Sequence, residues 1–156
     1  RDTDRSRGLG DVYKRQVGGQ SLDVLLTDKP VNEKEMEFIF NLKTGALIEA
    51  AFMAGAILAG AGKECVSQLE KAGNLVGVAF QIKDDILDVT STQEVLGKPV
   101  FSDEKNNKTT YVTLYGMEKA AADVENMSEK AESIVKSIGD NEFLIELINK
   151  LISREK

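Results

Sequence analysis

The sequence predicts an all-α protein. Three observations carry that expectation. The chain has only two prolines, Pro30 and Pro99, and each falls in a polar connector. Toward the C-terminus, apolar residues recur at the three-and-four spacing of helices buried on one side. The stretch GALIEAAFMAGAILAGAG, Gly45 to Gly62, is rich in Ala and Gly around a single carboxylate, Glu49, which suits a packed helix rather than a membrane span.

The elements follow in order. The first sixteen residues, RDTDRSRGLGDVYKRQ, stand apart: eight are charged, there is no initiating Met, and no apolar period appears. Arg1, Arg5, Arg7 and Arg15 lie in this segment and only Arg154 lies beyond it. We read residues 1–16 as a non-native or disordered tail and residues 17–156 as the domain. GGQSLDVLL predicts a short helix, Gly18 to Leu26, with its glycines serving close helix packing. Asn32 is an N-cap candidate followed by acidic residues, opening a helix that runs to about Ala61 with a bend near Thr44-Gly45. A third helix spans roughly Lys63 to Val89. Thr90 to Thr109 is a polar connector containing Gly97 and Pro99. Two amphipathic helices close the chain. Ala120, Val124, Met127, Ala131, Ile134, Val135 and Ile138 share a face of the first, and Phe143, Leu144, Leu147, Ile148, Leu151 and Ile152 a face of the second.

Composition excludes several functions. With 20 basic and 26 acidic residues the net charge is −6, so no basic face offsets a phosphate backbone and nucleic-acid binding is not expected. Histidine is absent, which removes histidine bases, Ser-His-Asp triads and His-ligated zinc. The single cysteine, Cys65, precludes an internal disulfide and fits a reducing, cytoplasmic compartment. No secretory signal pattern and no stable membrane insertion are read from the chain.

One segment conflicts with a simple core reading. FQIKDDILD, Phe80 to Asp88, places three aspartates among apolar residues. On a helical wheel Asp84 and Asp88 fall about 40° apart, Gln81 lies one turn earlier, and Asp85 borders the same face. Asn74 and Gly77 extend the band backward, while Leu75, Val78, Ala79, Ile82, Ile86 and Val89 face away from it. A solvated helix face mixes signs and pairs Lys with Glu; this band holds only short carboxylates and amides. Carboxylates one turn apart repel, and a bound multivalent cation removes that penalty. The oxygen-only donor set suits Mg²⁺, or Mn²⁺ in its place. Lys43 is a lone cation in an otherwise weakly charged helical stretch, where it needs an anionic partner.

These residues resemble a family. GGQSLDV, KTGALIEAA, GVAFQIKDDILDV, LGKPVFSDEKNNKTTYV and LYGMEKA occur in the order found in short-chain trans-prenyl diphosphate synthases, the farnesyl and geranylgeranyl diphosphate synthase group. The likeness is strong from Val17 to about Glu125 and loose beyond. It implies a homodimeric, antiparallel helical bundle of the isoprenoid synthase type, here a partial one. It implies head-to-tail condensation of isopentenyl diphosphate with an allylic diphosphate, through Mg²⁺-assisted ionisation of the latter. Asp84, Asp85 and Asp88 then match the second of the family's two aspartate motifs and its metal ligands. Lys43, Thr44, Gln81, Lys98 and Lys108 match residues that contact the diphosphate, and Asp84, Lys43 and Lys98 are the expected catalytic residues. Phe80 and the Ala/Gly-rich helix are candidates to line the space for the growing chain.

The departures carry equal weight. The family's first aspartate motif is absent, as are the arginines after it and the residues that bind isopentenyl diphosphate; no arginine occurs between Val17 and Ser153. The expectation is the C-terminal half of a synthase, inactive alone, whose product length is not encoded in the residues present. The alternatives are a terpene cyclase fragment, which would carry more aromatics than the 6% here, and a non-catalytic helical subunit or interaction module that keeps the fold.

Overall fold

The computed structural model describes residues 9–26, 29, 31–96 and 109–154. Seven α-helices follow one another, with no strand among the described residues: α1 Leu9–Leu25, α2 Glu33–Phe40, α3 Ala46–Leu58, α4 Lys63–Leu96, α5 Tyr111–Tyr115, α6 Met117–Ile138 and α7 Glu142–Ile152. A π-helical segment, Asn41–Gly45, joins α2 to α3 without a loop. The all-α expectation holds.

Local chemistry explains the boundaries. Asn32 caps α2 as its sequence position suggests: its side-chain oxygen accepts from the Glu35 N–H at 3.1 Å, and the Glu35 carboxylate accepts from the Asn32 N–H at 2.9 Å. The bend near Thr44-Gly45 is the π segment. There the Asn41 side chain donates to the Glu37 carbonyl at 2.8 Å, and a wider turn of backbone replaces the regular ladder. The helix ends at Leu58 rather than about Ala61, where Gly60 takes a φ of 75°.

The third helix runs past Val89 to Leu96, so the first part of the expected connector is helical. No Gly or Pro interrupts residues 90–96, and the Thr90 hydroxyl donates back to the Ile86 and Leu87 carbonyls at 3.0 and 3.2 Å. α1 starts at Leu9, within the segment read from sequence as a tail, and its Arg15 pairs with Glu49 at 2.6 Å. Gly18 does not serve packing: a Cβ there would meet nothing within 4 Å.

α4 is the axis of the bundle. It packs along α3 and the π segment on one side and along α6 on the other, with α7 against its flank. Leu69, Ala72, Val76, Ala79 and Ile82 give it a buried stripe at three-and-four spacing. Two apolar clusters form around it. One gathers Met36, Ile39, Phe40, Ile82 and Val124; the other gathers Val76, Ala131, Val135 and Ile148.

A second face of α4 is glycine. A Cβ on Gly77 would lie 2.5 Å from Gly45 Cα, and one on Gly73 would lie 2.8 Å from Glu49 Cα. Only glycine permits so close an approach of the two backbones. That contact sets the π segment directly against the polar band of α4.

Candidate functional site

The polar band of α4 lines a cavity of about 400 Å³. Gln81, Asp84, Asp85 and Asp88 form one wall. Met36, Ile39 and Phe40 of α2 supply an apolar wall, and Thr109 and Thr110, leading into α5, close the edge. Gln81 and the three aspartates thus share one cavity, as their spacing along α4 predicts.

Five of the eight predicted site residues have described side chains. Thr44, in the π segment, donates its hydroxyl to Gln81 Oε1 at 2.8 Å, linking two expected diphosphate contacts from different helices. Lys43 precedes Thr44 in the same π segment; its side chain lies outside the described residues. Lys98 and Lys108 also lie outside them. Asp84 is paired with the Arg154 guanidinium, which also donates to the Phe80 carbonyl at 3.4 Å and covers the Phe80 ring at 3.8 Å from its centroid. Phe80 therefore stacks under this cation. Asp85 Oδ2 accepts from the Tyr111 main-chain N–H at 2.8 Å, and Asp88 is exposed at the cavity mouth.

The donor set fits a hard divalent cation. On the α4 wall the candidate ligands are carboxylate and amide oxygens, and no histidine or cysteine is among the described lining residues. Among the described residues no three acidic side chains close on a single point. Mg²⁺ does not require that, since it takes one or two carboxylates and completes its octahedron with water and phosphate oxygens.

Sequence reasoning missed three participants. Arg154 could have been flagged as the lone arginine after residue 16. Tyr111 lies in the NKTTYV stretch that carried the resemblance but was given no role, and Asp123 carried no signal of its own. The Tyr111 phenol donates to Asp123 Oδ2 at 2.7 Å, and Lys119 Nζ donates to the same oxygen at 2.7 Å. Burial raises the Tyr111 phenol above its usual value, and the hydrogen bond to Asp123 raises it further. Burial opposes the charged form of Asp123, but the hydrogen bonds from Lys119 and Tyr111 outweigh it and hold the carboxyl below its usual range.

With the geometry established, likenesses to other proteins are informative. The sequence model of a family described as Polyprenyl synthetase matches residues 4–148. A geranylgeranyl diphosphate synthase from Cyanophora paradoxa is 41% identical over 117 residues, covering 74% of this chain and 39% of that protein. A farnesyl diphosphate synthase from Bacillus subtilis is 34% identical over 140 residues, covering 89% of this chain and 47% of that one. The crystal structure of heptaprenyl diphosphate synthase from Staphylococcus aureus superposes with a TM-score of 0.81 at 25% identity, over 95% of this chain and 59% of that one. The chain spans less than half the length of these two sequence relatives. No helix among the described residues is long and apolar enough to cross a membrane.

Proposed function

This chain belongs to the polyprenyl synthetase family, and on that premise we propose that it forms the diphosphate-ionising wall of a cytoplasmic, homodimeric prenyl diphosphate synthase. The whole enzyme would condense isopentenyl diphosphate with an allylic diphosphate to make a short-chain isoprenoid diphosphate. The chain corresponds to the C-terminal half of that enzyme. Its span of less than half of the sequence relatives and its single aspartate motif support this reading.

The observation that carries the proposal is the shared wall of Gln81, Asp84, Asp85 and Asp88 on one cavity, with Thr44 bonded across to Gln81. Asp84, Asp85 and Asp88 are the residues that would hold Mg²⁺. Bound there, Mg²⁺ supplies positive charge to the oxygens of the departing diphosphate, a contribution of several kcal/mol in a water-excluded site. The chain's own groups do the rest. Thr44 and Gln81 orient the diphosphate. Lys43 and Lys98 bring fixed positive charge to the leaving oxygens, and Lys108 adds to it. Met36, Ile39 and Phe40 keep water from the allylic carbon as its positive charge develops.

Relatives described as diphosphate synthases favour this reading over terpene cyclisation. The alternative is a non-catalytic helical module that keeps the fold. Calorimetric titration of the 156-residue chain with dimethylallyl diphosphate separates the two. Binding that needs Mg²⁺, vanishes in EDTA and is lost in Asp84→Ala is expected. Absence of Mg²⁺-dependent binding by a folded chain would overturn the proposal.

A further inference from the structure

We propose that Tyr111 is a positioning residue for Asp85, holding that carboxylate through its main chain and being held in turn through its phenol. The inference rests on the reading of the aspartates as a Mg²⁺ site and adds a component that the reading does not contain.

Tyr111 makes two hydrogen bonds in opposite directions. Its N–H donates to Asp85 Oδ2 at 2.8 Å, toward α4. Its hydroxyl donates to Asp123 Oδ2 at 2.7 Å, toward α6. Lys119 donates to that same oxygen at 2.7 Å, so Asp123 is itself fixed. The ring is packed as well, stacked on Phe40 at 5.8 Å and tilted against Tyr115 at 4.5 Å.

The need for such an anchor follows from the element that carries it. α5 has only five residues, too few to hold its shape through its own ladder. Thr110 and Thr113 cap it reciprocally, and Gly116, with a φ of 85°, ends it. A single turn suspended between a connector and Gly116 offers a rigid N–H only if something fixes it to the bundle. The phenol–Asp123 bond does so from α6, and the Phe40 contact does so from α2. Phe40 also lines the cavity, so one ring joins the apolar wall to the donor on Asp85.

A carboxylate with one oxygen held by a fixed donor enters the cavity in one orientation. Its metal affinity then depends on residues that never touch the metal, and loss of such partners costs about tenfold or more in affinity. Tyr111→Phe keeps the ring stacking and removes the tether to α6. Asp123→Ala removes the acceptor that the phenol needs.

The test is Mn²⁺ titration of the 156-residue chain by electron paramagnetic resonance, with dimethylallyl diphosphate present, at a temperature where circular dichroism shows each variant folded. Expected are about tenfold weaker Mn²⁺ binding in Tyr111→Phe and in Asp123→Ala, and no further loss when the two are combined. A structural defect alone would lower the melting temperature without this shift. The amide resonance of Tyr111, which reports its hydrogen bond directly, should move in Asp85→Asn and in Tyr111→Phe. Unchanged Mn²⁺ affinity in Tyr111→Phe, with Asp85→Asn weakened, would overturn the positioning role and leave the metal-site reading intact. Unchanged affinity in Asp85→Asn would overturn both.

Discussion

Arg154 closes on Asp84 across seventy positions of sequence. The guanidinium neutralises the first aspartate of the band and lies over the Phe80 ring one turn before it. Both partners are partly exposed, at 30% and 38% of their side chains.

That exposure limits what the pair contributes to stability. A screened pair of this kind is worth about 0–1 kcal/mol, and the ring contact adds about 0.5–1 kcal/mol. Arg154→Ala should therefore lower stability by about 1 kcal/mol in chemical denaturation. Because the guanidinium occupies a carboxylate assigned to the metal, the same variant should bind Mn²⁺ more tightly. Weaker Mn²⁺ binding in Arg154→Ala would mean that the arginine supports the site rather than competing for it.

Gly77 faces Gly45 with no room for a methyl group. Gly77→Ala forces α4 and the π segment apart, at a cost of about 1–3 kcal/mol. The same displacement stretches the Thr44–Gln81 hydrogen bond. Weaker dimethylallyl diphosphate binding should therefore accompany the lower melting temperature. A stable variant with unaltered binding would show that the close approach is not what aligns the two residues.

The Tyr111–Asp123 pair predicts a pH dependence with two limbs. The Asp123 carboxyl is held below its usual range, so its contribution is full above about pH 4 and is lost as the pH falls through the native value. Burial raises the Tyr111 phenol well above its ordinary value near 10, so its contribution is full below about pH 10 and is lost as the pH climbs from there through the native value. Thermal melts of Asp123→Asn should converge on wild type at acid pH, and those of Tyr111→Phe should converge above pH 10. Differences that stay constant across these ranges would contradict the assignment.

Turnover gives the fourth expectation. The 156-residue chain alone should form no steady product from isopentenyl and dimethylallyl diphosphates. Joined to an upstream half carrying the other aspartate motif, it should do so with Mg²⁺. Asp84→Ala in that joined protein should reduce kcat by on the order of 10²–10³ without loss of helical signal. An unimpaired variant would remove Asp84 from the site.

Local signals were legible in the sequence, and contacts across the fold were not. Asn32 announces its helix because a cap is a short-range matter, and the aspartate band emerges from helical periodicity alone. The bend at Thr44-Gly45 could be located because Gly45 interrupts a helical pattern, but its π geometry and its close approach to Gly77 of α4 carry no local signal. Thr90 misled because a threonine reads as a breaker until its hydroxyl turns back onto its own helix. Tyr111 stayed hidden because its contact with Asp85 uses a main-chain N–H, a group that every residue but proline carries. Arg154 stayed hidden because nothing local links position 154 to position 84.

The π segment has a consequence for how length variation could arise here. A turn of this kind winds more chain into the same rise than its neighbours do. Removing one residue between 41 and 45 would let α2 and α3 merge into a single regular rod with little strain. The flanking side chains would keep their relative bearing, since a π turn passes through nearly the same angle as an α turn with one residue fewer. What the deletion would remove is local, the bearing of Thr44 on Gln81 that the wide turn carries.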